Sequence, residues 1–252
     1  MRLGGKDEVL YNQCLLRVIR AADGDNRLTI LFFGPPGSGK GTQGRLILEW
    51  MPERIPAIST GDMLRAEIAA QSPLGVKTQE IIAAGGLVND DLMNEVVRSR
   101  LGQPDCRNGF MLDGYPRTIE QAEFLDTVLA DHNLPKPIVI HLDVPADVVV
   151  GRIVSRRQCS QCGQMYNILW EKPKVEGKCD KDGSPLIVRK DDQEDVIRER
   201  LKTYEAITRP VLAHYSDDQY FQISGDRSST YIFEEITEIL EREMKSRLSA
   251  VA

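Results

Sequence analysis

The sequence predicts an α/β fold, a parallel sheet covered on both faces by helices, and three observations carry the prediction. Uninterrupted apolar runs of strand length recur along the chain. Helical patterns separate them, which is the alternation expected when crossover helices lie on the faces of a parallel sheet. A glycine-rich segment follows one of these runs and opens a helix, the setting of a phosphate-binding turn.

Composition narrows the class. The 252 residues carry 38 acidic and 32 basic side chains, a formal charge of −6, so the chain lacks the basic excess of a nonspecific nucleic-acid binder. With 41% hydrophobic and 28% charged residues it is neither disordered nor fibrous. No apolar run approaches the ~18 residues of a membrane span, and no membrane partner is expected. The first residues include Asp7 and Glu8 and lack the apolar stretch of a secretory signal. Five cysteines do not make a disulfide scaffold, and three of them fall in one short segment, so a reducing cytoplasm is expected.

Residues 1–27 read as an N-terminal extension. Leu10, Cys14, Leu15 and Val18 would give one amphipathic helix, and Asp23-Gly24-Asp25-Asn26 a turn. The first strand is 28–33, followed by Gly34-Pro35-Pro36-Gly37-Ser38-Gly39-Lys40-Gly41-Thr42 and a helix through Leu46, Ile47 and Trp50. Further strands are predicted at 110–112, 138–144 and 220–223. The last helix, 230–247, repeats Ile232, Phe233, Ile236, Ile239, Leu240 and Met244 at the spacing of a docked amphipathic helix. Two stretches break the alternation and read as insertions: a helical one from 59 to 88, and one from 155 to 192 rich in Cys, Lys, Gly and Pro.

The glycine segment can wrap a polyphosphate, because backbone N–H groups converge on phosphate only where side chains do not obstruct a sharp turn. Lys40 supplies a mobile cation for the β- and γ-phosphates. The general pattern places Ser or Thr directly after the lysine; here Gly41 takes that place and the hydroxyl comes one residue later, at Thr42.

That departure is informative. The loop with Gly41 after Lys40 resembles that of nucleoside-monophosphate kinases, most closely adenylate kinases. Ile58-Ser59-Thr60-Gly61-Asp62-Met63-Leu64-Arg65, then Leu112-Asp113-Gly114-Tyr115-Pro116-Arg117-Thr118, then Arg189-Lys190-Asp191-Asp192 resemble that family's signature segments in order. The resemblance covers about residues 28–248. It implies a P-loop kinase core with a five-stranded parallel sheet, formed by 28–58, 89–154 and 193–252. An AMP-binding insertion would occupy 59–88 and a lid 155–192.

By the same resemblance the reaction is MgATP + AMP ⇌ 2 ADP, in a monomer. Gly37, Ser38, Gly39, Lys40, Gly41 and Thr42 would hold ATP, with Arg152 over its base and Tyr166 and Arg227 completing the nucleotide contacts. Arg65 and Arg117 would bind the AMP phosphate. Thr60, Gly86, Leu87, Val88, Gly114, Tyr115, Pro116 and Gln121 would line the acceptor site. Arg156, Arg189 and Arg200 would clamp the transferring phosphoryl group, and Asp113 would hold magnesium-bound water. Gly86 stands where many relatives have lysine, and Tyr115 replaces a common phenylalanine, which leaves fine acceptor specificity open. No general base is required, since the acceptor phosphate is already an anionic nucleophile.

Cys159-Ser160-Gln161-Cys162 precedes Cys179-Asp180-Lys181-Asp182 by sixteen residues. Two knuckles of this kind can surround one tetrahedral ion, with Cys159, Cys162, Cys179 and Asp182 as ligands of a closed, structural zinc site. The arrangement resembles the metal-containing lid of certain bacterial adenylate kinases. A redox pair at Cys159 and Cys162, or a cluster that no longer binds metal, are the competing readings. Asp180 is an alternative ligand of poor spacing. Cys14 and Cys106 read as packing residues, and His141 as a satisfied strand residue. Another monophosphate kinase, accepting UMP, CMP or GMP or using GTP, is the nearest alternative function. A noncatalytic nucleotide or metal sensor is the alternative from another class.

Overall fold

The computed structural model describes residues 27–51, 55–170, 172–189 and 191–251. The expected N-terminal helix, with Cys14, lies outside them. No helix among the described residues is long and apolar enough to cross a membrane.

Five parallel strands form the central sheet: β1 (Leu28–Phe33), β2 (Ala57–Ser59), β3 (Gly109–Asp113), β4 (Ile138–Asp143) and β8 (Tyr220–Ser224), ordered β2-β3-β1-β4-β8. The helices are α1 (Lys40–Trp50), α2 (Thr60–Ala69), α3 (Pro73–Ala83), α4 (Asp90–Leu101), α5 (Ile119–Asp131), α6 (Ala146–Val154), α7 (Glu194–Thr203) and α8 (Ser229–Val251). A second, antiparallel sheet of β5 (Arg156–Cys159), β6 (Met165–Asn167) and β7 (Leu186–Ile187), ordered β6-β5-β7, lies between α6 and α7 in the chain.

Every residue of β1 is buried. Leu31 and Phe33 face one side and join Met93 and Val97 of α4 and Leu125 and Val128 of α5. Leu28, Ile30 and Phe32 face the other and join Ile47 of α1 and Ile232, Ile236 and Leu240 of α8. A strand buried on both faces reads as a continuous apolar run for this reason. Each such side chain contributes about 1.5–3 kcal/mol of transfer free energy. The stripe on the last helix is therefore core packing.

Register determines what reaches the C-terminal edge of the sheet. Phe32 pairs with Asp113, and Asp113 with Ser59, so the phosphate loop, Asp113 and the start of α2 emerge side by side. At the opposite end Leu28 pairs with Gly109. Gly109 has φ 106°, and a Cβ there would lie 1.9 Å from the Leu28 carbonyl oxygen, so no other residue fits the junction.

Local chemistry starts the helices. Ser59, Ser72, Asn89 and Thr118 cap α2, α3, α4 and α5 by accepting from Asp62, Gly75, Leu92 and Gln121 N–H. Helix α1 differs: Gly39 precedes it at φ 104° and no side chain caps it. Its first N–H groups are left to a ligand, as an anion-binding helix start requires.

Candidate active site

The phosphate loop joins β1 to α1 and packs beneath α6. Gly37 adopts φ 79°, and a Cβ on it would come within 2.5 Å of Ile153 Cγ1. Ser38 is fully buried, its N–H bonded to Pro35 O at 3.1 Å. Lys40 Nζ donates to Gly34 O and Pro35 O, each at 2.9 Å, and approaches Ser38 Oγ at 3.3 Å. Burial pushes its pKa down to about 8; Asp113 opposes this, while Arg117, Arg200 and Arg156 reinforce it. Gly41 stands beside the Asp113 carboxylate, one oxygen of which would lie 4.0 Å from a Cβ at that position, an ordinary contact distance. Thr42 is half-buried on the first turn of α1.

A second pocket opens beside the loop. Thr60, Arg65, Gly86, Leu87, Val88, Gly114, Tyr115, Arg117 and Gln121 all line it, together with Arg200. Thr60 Oγ1 donates to Gly114 O at 2.9 Å, and Arg117 Nε donates to the same oxygen at 2.7 Å. The Tyr115–Pro116 peptide is cis. Leu64, Ile82 and Met93 supply apolar walls that sequence reading missed as site residues; only their helical spacing marked them, and that spacing reads equally as core.

The arginines converge. Burial lowers the pKa of Arg117 to about 10, with the neighbouring charges of Arg200 and Arg65 adding to the effect. Burial likewise lowers Arg189 to about 10, helped by Arg65 and Arg156. Asp191 accepts from Arg200 Nη1 at 2.9 Å and stands 3.7 Å from Arg65 Nη1. Asp192 accepts from Arg156 through both oxygens, one bond being Nε to Oδ2 at 2.9 Å. Arg189 Nε donates to Gln158 Oε1 at 2.7 Å, and its Nη2 stands 3.7 Å from Asp62 of α2. The segment that follows the small sheet thus meets α2 across the cleft. The orienting carboxylates Asp62, Asp191 and Asp192 had no role in the sequence reading, although each sits beside or within a few residues of an arginine in a signature segment.

The remaining nucleotide candidates scatter more. Arg152 Nη1 donates to Gly225 O at 2.7 Å. Arg227 is exposed and lies 4.6 Å over the Tyr231 ring. Tyr166 is buried in the small sheet, its hydroxyl donating to Cys179 Sγ at 3.4 Å and accepting from Asp180 N–H at 2.7 Å. Its polar end serves the cysteine cluster, leaving only backbone and ring to face a nucleotide.

In that cluster, ligand atoms of Cys159, Cys162, Cys179 and Asp182 all lie within 4.8 Å of one another. Cys162 Sγ is 3.5 Å from Cys179 Sγ, and Cys159 Sγ 3.4 Å from either Asp182 oxygen. A tetrahedron with zinc–sulfur bonds near 2.3 Å has sulfur–sulfur edges of about 3.8 Å, so these residues fit such an ion. Backbone N–H groups of Gln161 and Cys162 point at Cys159 Sγ, and that of Lys181 at Cys179 Sγ, each at 3.4 Å. For Cys179, desolvation pushes the thiol up, but the Tyr166 hydroxyl and the backbone N–H groups of Lys181 and Asp182 outweigh it and hold the thiol below its ordinary pKa. Asp180 instead accepts from Lys174 N–H at 2.8 Å. Elsewhere, Cys106 is buried in the core, and His141 is flanked by Tyr220 OH at 2.7 Å and Tyr204 OH at 3.0 Å.

A phosphate loop at the edge of a parallel sheet, facing a second pocket through a cluster of arginines, defines a P-loop phosphotransferase. The adenylate kinase family model matches residues 32–220. Adenylate kinase of Thermodesulfovibrio yellowstonii is 45% identical over 216 residues, 85% of this chain and 100% of that protein. That of Trichlorobacter lovleyi is 47% identical over 192 residues, 76% of this chain and 89% of that protein. That of Archaeoglobus fulgidus is 42% identical over 216 residues, 85% and 99% respectively. The chain belongs to the adenylate kinase family.

Proposed function

We propose that the chain catalyses MgATP + AMP ⇌ 2 ADP and so balances the adenine nucleotides. The observation that carries this reading is the gathering of Lys40, Arg65, Arg117, Arg156 and Arg200 between two anion-seeking pockets. Transfer between two nucleotides needs in-line positioning and dispersed positive charge, and a module that only bound one nucleotide would need neither at both phosphates.

In this reading Gly37 to Thr42 hold the ATP phosphates, and Lys40 leaves its loop carbonyls for phosphate oxygens. Arg65 and Arg117 hold the AMP phosphate, while Arg156, Arg189 and Arg200 stabilise the moving phosphoryl group. Arg152 packs over the ATP base, and Thr60, the 86–88 segment and Gln121 receive the acceptor. Magnesium brought in with ATP would supply charge neutralisation at the phosphates. Asp113 offers the hard carboxylate oxygens that its water shell would take. Residues 28–58, 89–154 and 193–252 form the core, 59–88 the acceptor insertion, and 155–192 a lid that excludes water on closure. The three thiolates and Asp182 hold structural zinc in that lid. None of Cys106, Cys159, Cys162 and Cys179 is in a disulfide, which suits a reducing cytoplasm, and the enzyme acts as a monomer.

A coupled assay pairing ATP or GTP with AMP, GMP, CMP and UMP tests the reading. AMP with ATP is expected to give the highest kcat/KM. A preference for a pyrimidine acceptor or for GTP would move the chain to another monophosphate kinase activity, and absence of transfer to any acceptor would leave a nucleotide sensor.

A further inference from the structure

Gln121 is held by two anchors of opposite and fixed polarity. Its Oε1 accepts from the Arg117 backbone N–H at 2.8 Å, and its Nε2 donates to Asp90 Oδ1 at 2.6 Å. A backbone N–H can only donate and a carboxylate can only accept, so the pair determines which end of the amide is which. The second Asp90 oxygen accepts from Thr118 Oγ1 at 2.7 Å, which orients the carboxylate itself. One helical turn further along α4, Asn94 Oδ1 lies 2.5 Å from the Tyr115 hydroxyl, which is also 3.2 Å from the Gln121 carbonyl oxygen. Gln121 is 2% exposed and lines the acceptor pocket on the first turn of α5, four residues after Arg117.

We propose that Asp90 is a positioning residue that locks the Gln121 amide in the orientation reading a 6-aminopurine and rejecting a 6-oxopurine. With the flip fixed, one amide hydrogen and one carbonyl lone pair remain to Gln121. Together they complement a ring-nitrogen acceptor beside an amino donor, as in adenine. Hypoxanthine presents the reverse order, an oxo acceptor beside a ring N–H donor. To read it the amide must turn over and set a donor against the Arg117 N–H and an acceptor against the Asp90 carboxylate. The buried cluster makes that reversal costly. Tyr115, whose hydroxyl ties α4 to Gln121, stiffens the same frame.

The inference rests on AMP being the acceptor, and the test separates the two. Wild-type enzyme and Asp90→Ala are assayed with ATP against AMP and IMP, acceptors of nearly the same shape that differ in the polarity of this edge. Wild-type enzyme is expected to favour AMP strongly in kcat/KM. In Asp90→Ala the AMP-to-IMP ratio is expected to fall about tenfold or more, the worth of one charge-assisted hydrogen bond, with the KM for ATP unchanged. A merely structural role would lower both acceptors together, so an unchanged ratio in a folded variant overturns the proposal. Should Asp90→Ala not fold, Asp90→Asn decides: it keeps the shape but can present a donor or an acceptor, and a ratio equal to wild type would overturn the proposal. Failure of wild-type enzyme to phosphorylate AMP would overturn the functional reading instead.

Discussion

Asp192 grips Arg156 with both carboxylate oxygens, and its own side chain has no exposure to solvent while that of Arg156 retains 19%. The fork of the arginine is thereby set in one plane before any phosphate reaches it. Truncation of a buried partner leaves the other charge uncompensated, which costs about 3 kcal/mol. Asp192→Ala is expected to lose that much stability in urea unfolding, with Asp192→Asn losing less. An unchanged unfolding midpoint in Asp192→Ala would show that Arg156 is held by something else.

Lys40 gives a pH signature. Its pKa of about 8 in the free protein means that its charge is present below that pH and lost above it. The kcat/KM for ATP is expected to be level up to about pH 8 and then to fall about tenfold per pH unit. Lys40→Arg should abolish this limb whatever its rate, since a guanidinium stays charged there. Lys40→Met should fold normally and lose at least about a thousandfold in kcat. Retained turnover in Lys40→Met, or the same alkaline limb in Lys40→Arg, would show that the Lys40 charge does not stabilise the transferring phosphates.

The phosphate loop tolerates no side chain at Gly37, where φ is 79° and Ile153 Cγ1 would be 2.5 Å from a Cβ. Gly37→Ala is expected to displace the loop from α6, raise the KM for ATP at least about tenfold, and cost about 1–3 kcal/mol of stability. Isothermal titration with ATP and thermal unfolding measure the two effects. Wild-type affinity would contradict the packing argument.

Elemental analysis of the purified protein should find about one zinc per chain. Chelation should lower the unfolding temperature, because metal that binds only the folded ligand set stabilises it. Cys179→Ser should reproduce the loss and no longer respond to chelator. A metal-free preparation with unchanged stability would leave the cluster without a structural ion.

How far the sequence reveals this arrangement depends on segment length. The runs at 28–33 and 138–143 are long enough to read as buried strands. Ala57–Ser59 is a strand of three residues and carries no pattern of its own; it joins the sheet because its neighbour β3 offers a partner edge. The strands of the small sheet, two to four residues each, are set by the cysteine knuckles and turns between them more than by apolar alternation. Basic residues of the site were legible through motifs, whereas their acidic partners were not. Asp191 and Asp192 stand in the sequence only as part of a signature segment with no role of their own; in the fold they are buried against Arg65, Arg156 and Arg200, which come from other elements. Tyr166 shows the same limit: which way its hydroxyl turns is decided by Cys179 and Asp180, thirteen or more residues away.

The seam between Leu28 and Gly109 lies at the end of the sheet farthest from the phosphate loop, yet it serves as the ruler for the cleft. Strands are stiff in length, so aligning two of them at one end dictates their alignment at the other. If a bulkier residue at 109 forced β3 to slide by one position, Asp113 would point away from Gly41 and the spacing between the two pockets would change with it. Reaction geometry in this protein is therefore gauged at a place no substrate touches, and a lesion there would be felt as lost chemistry before it was recognised as a fault of folding.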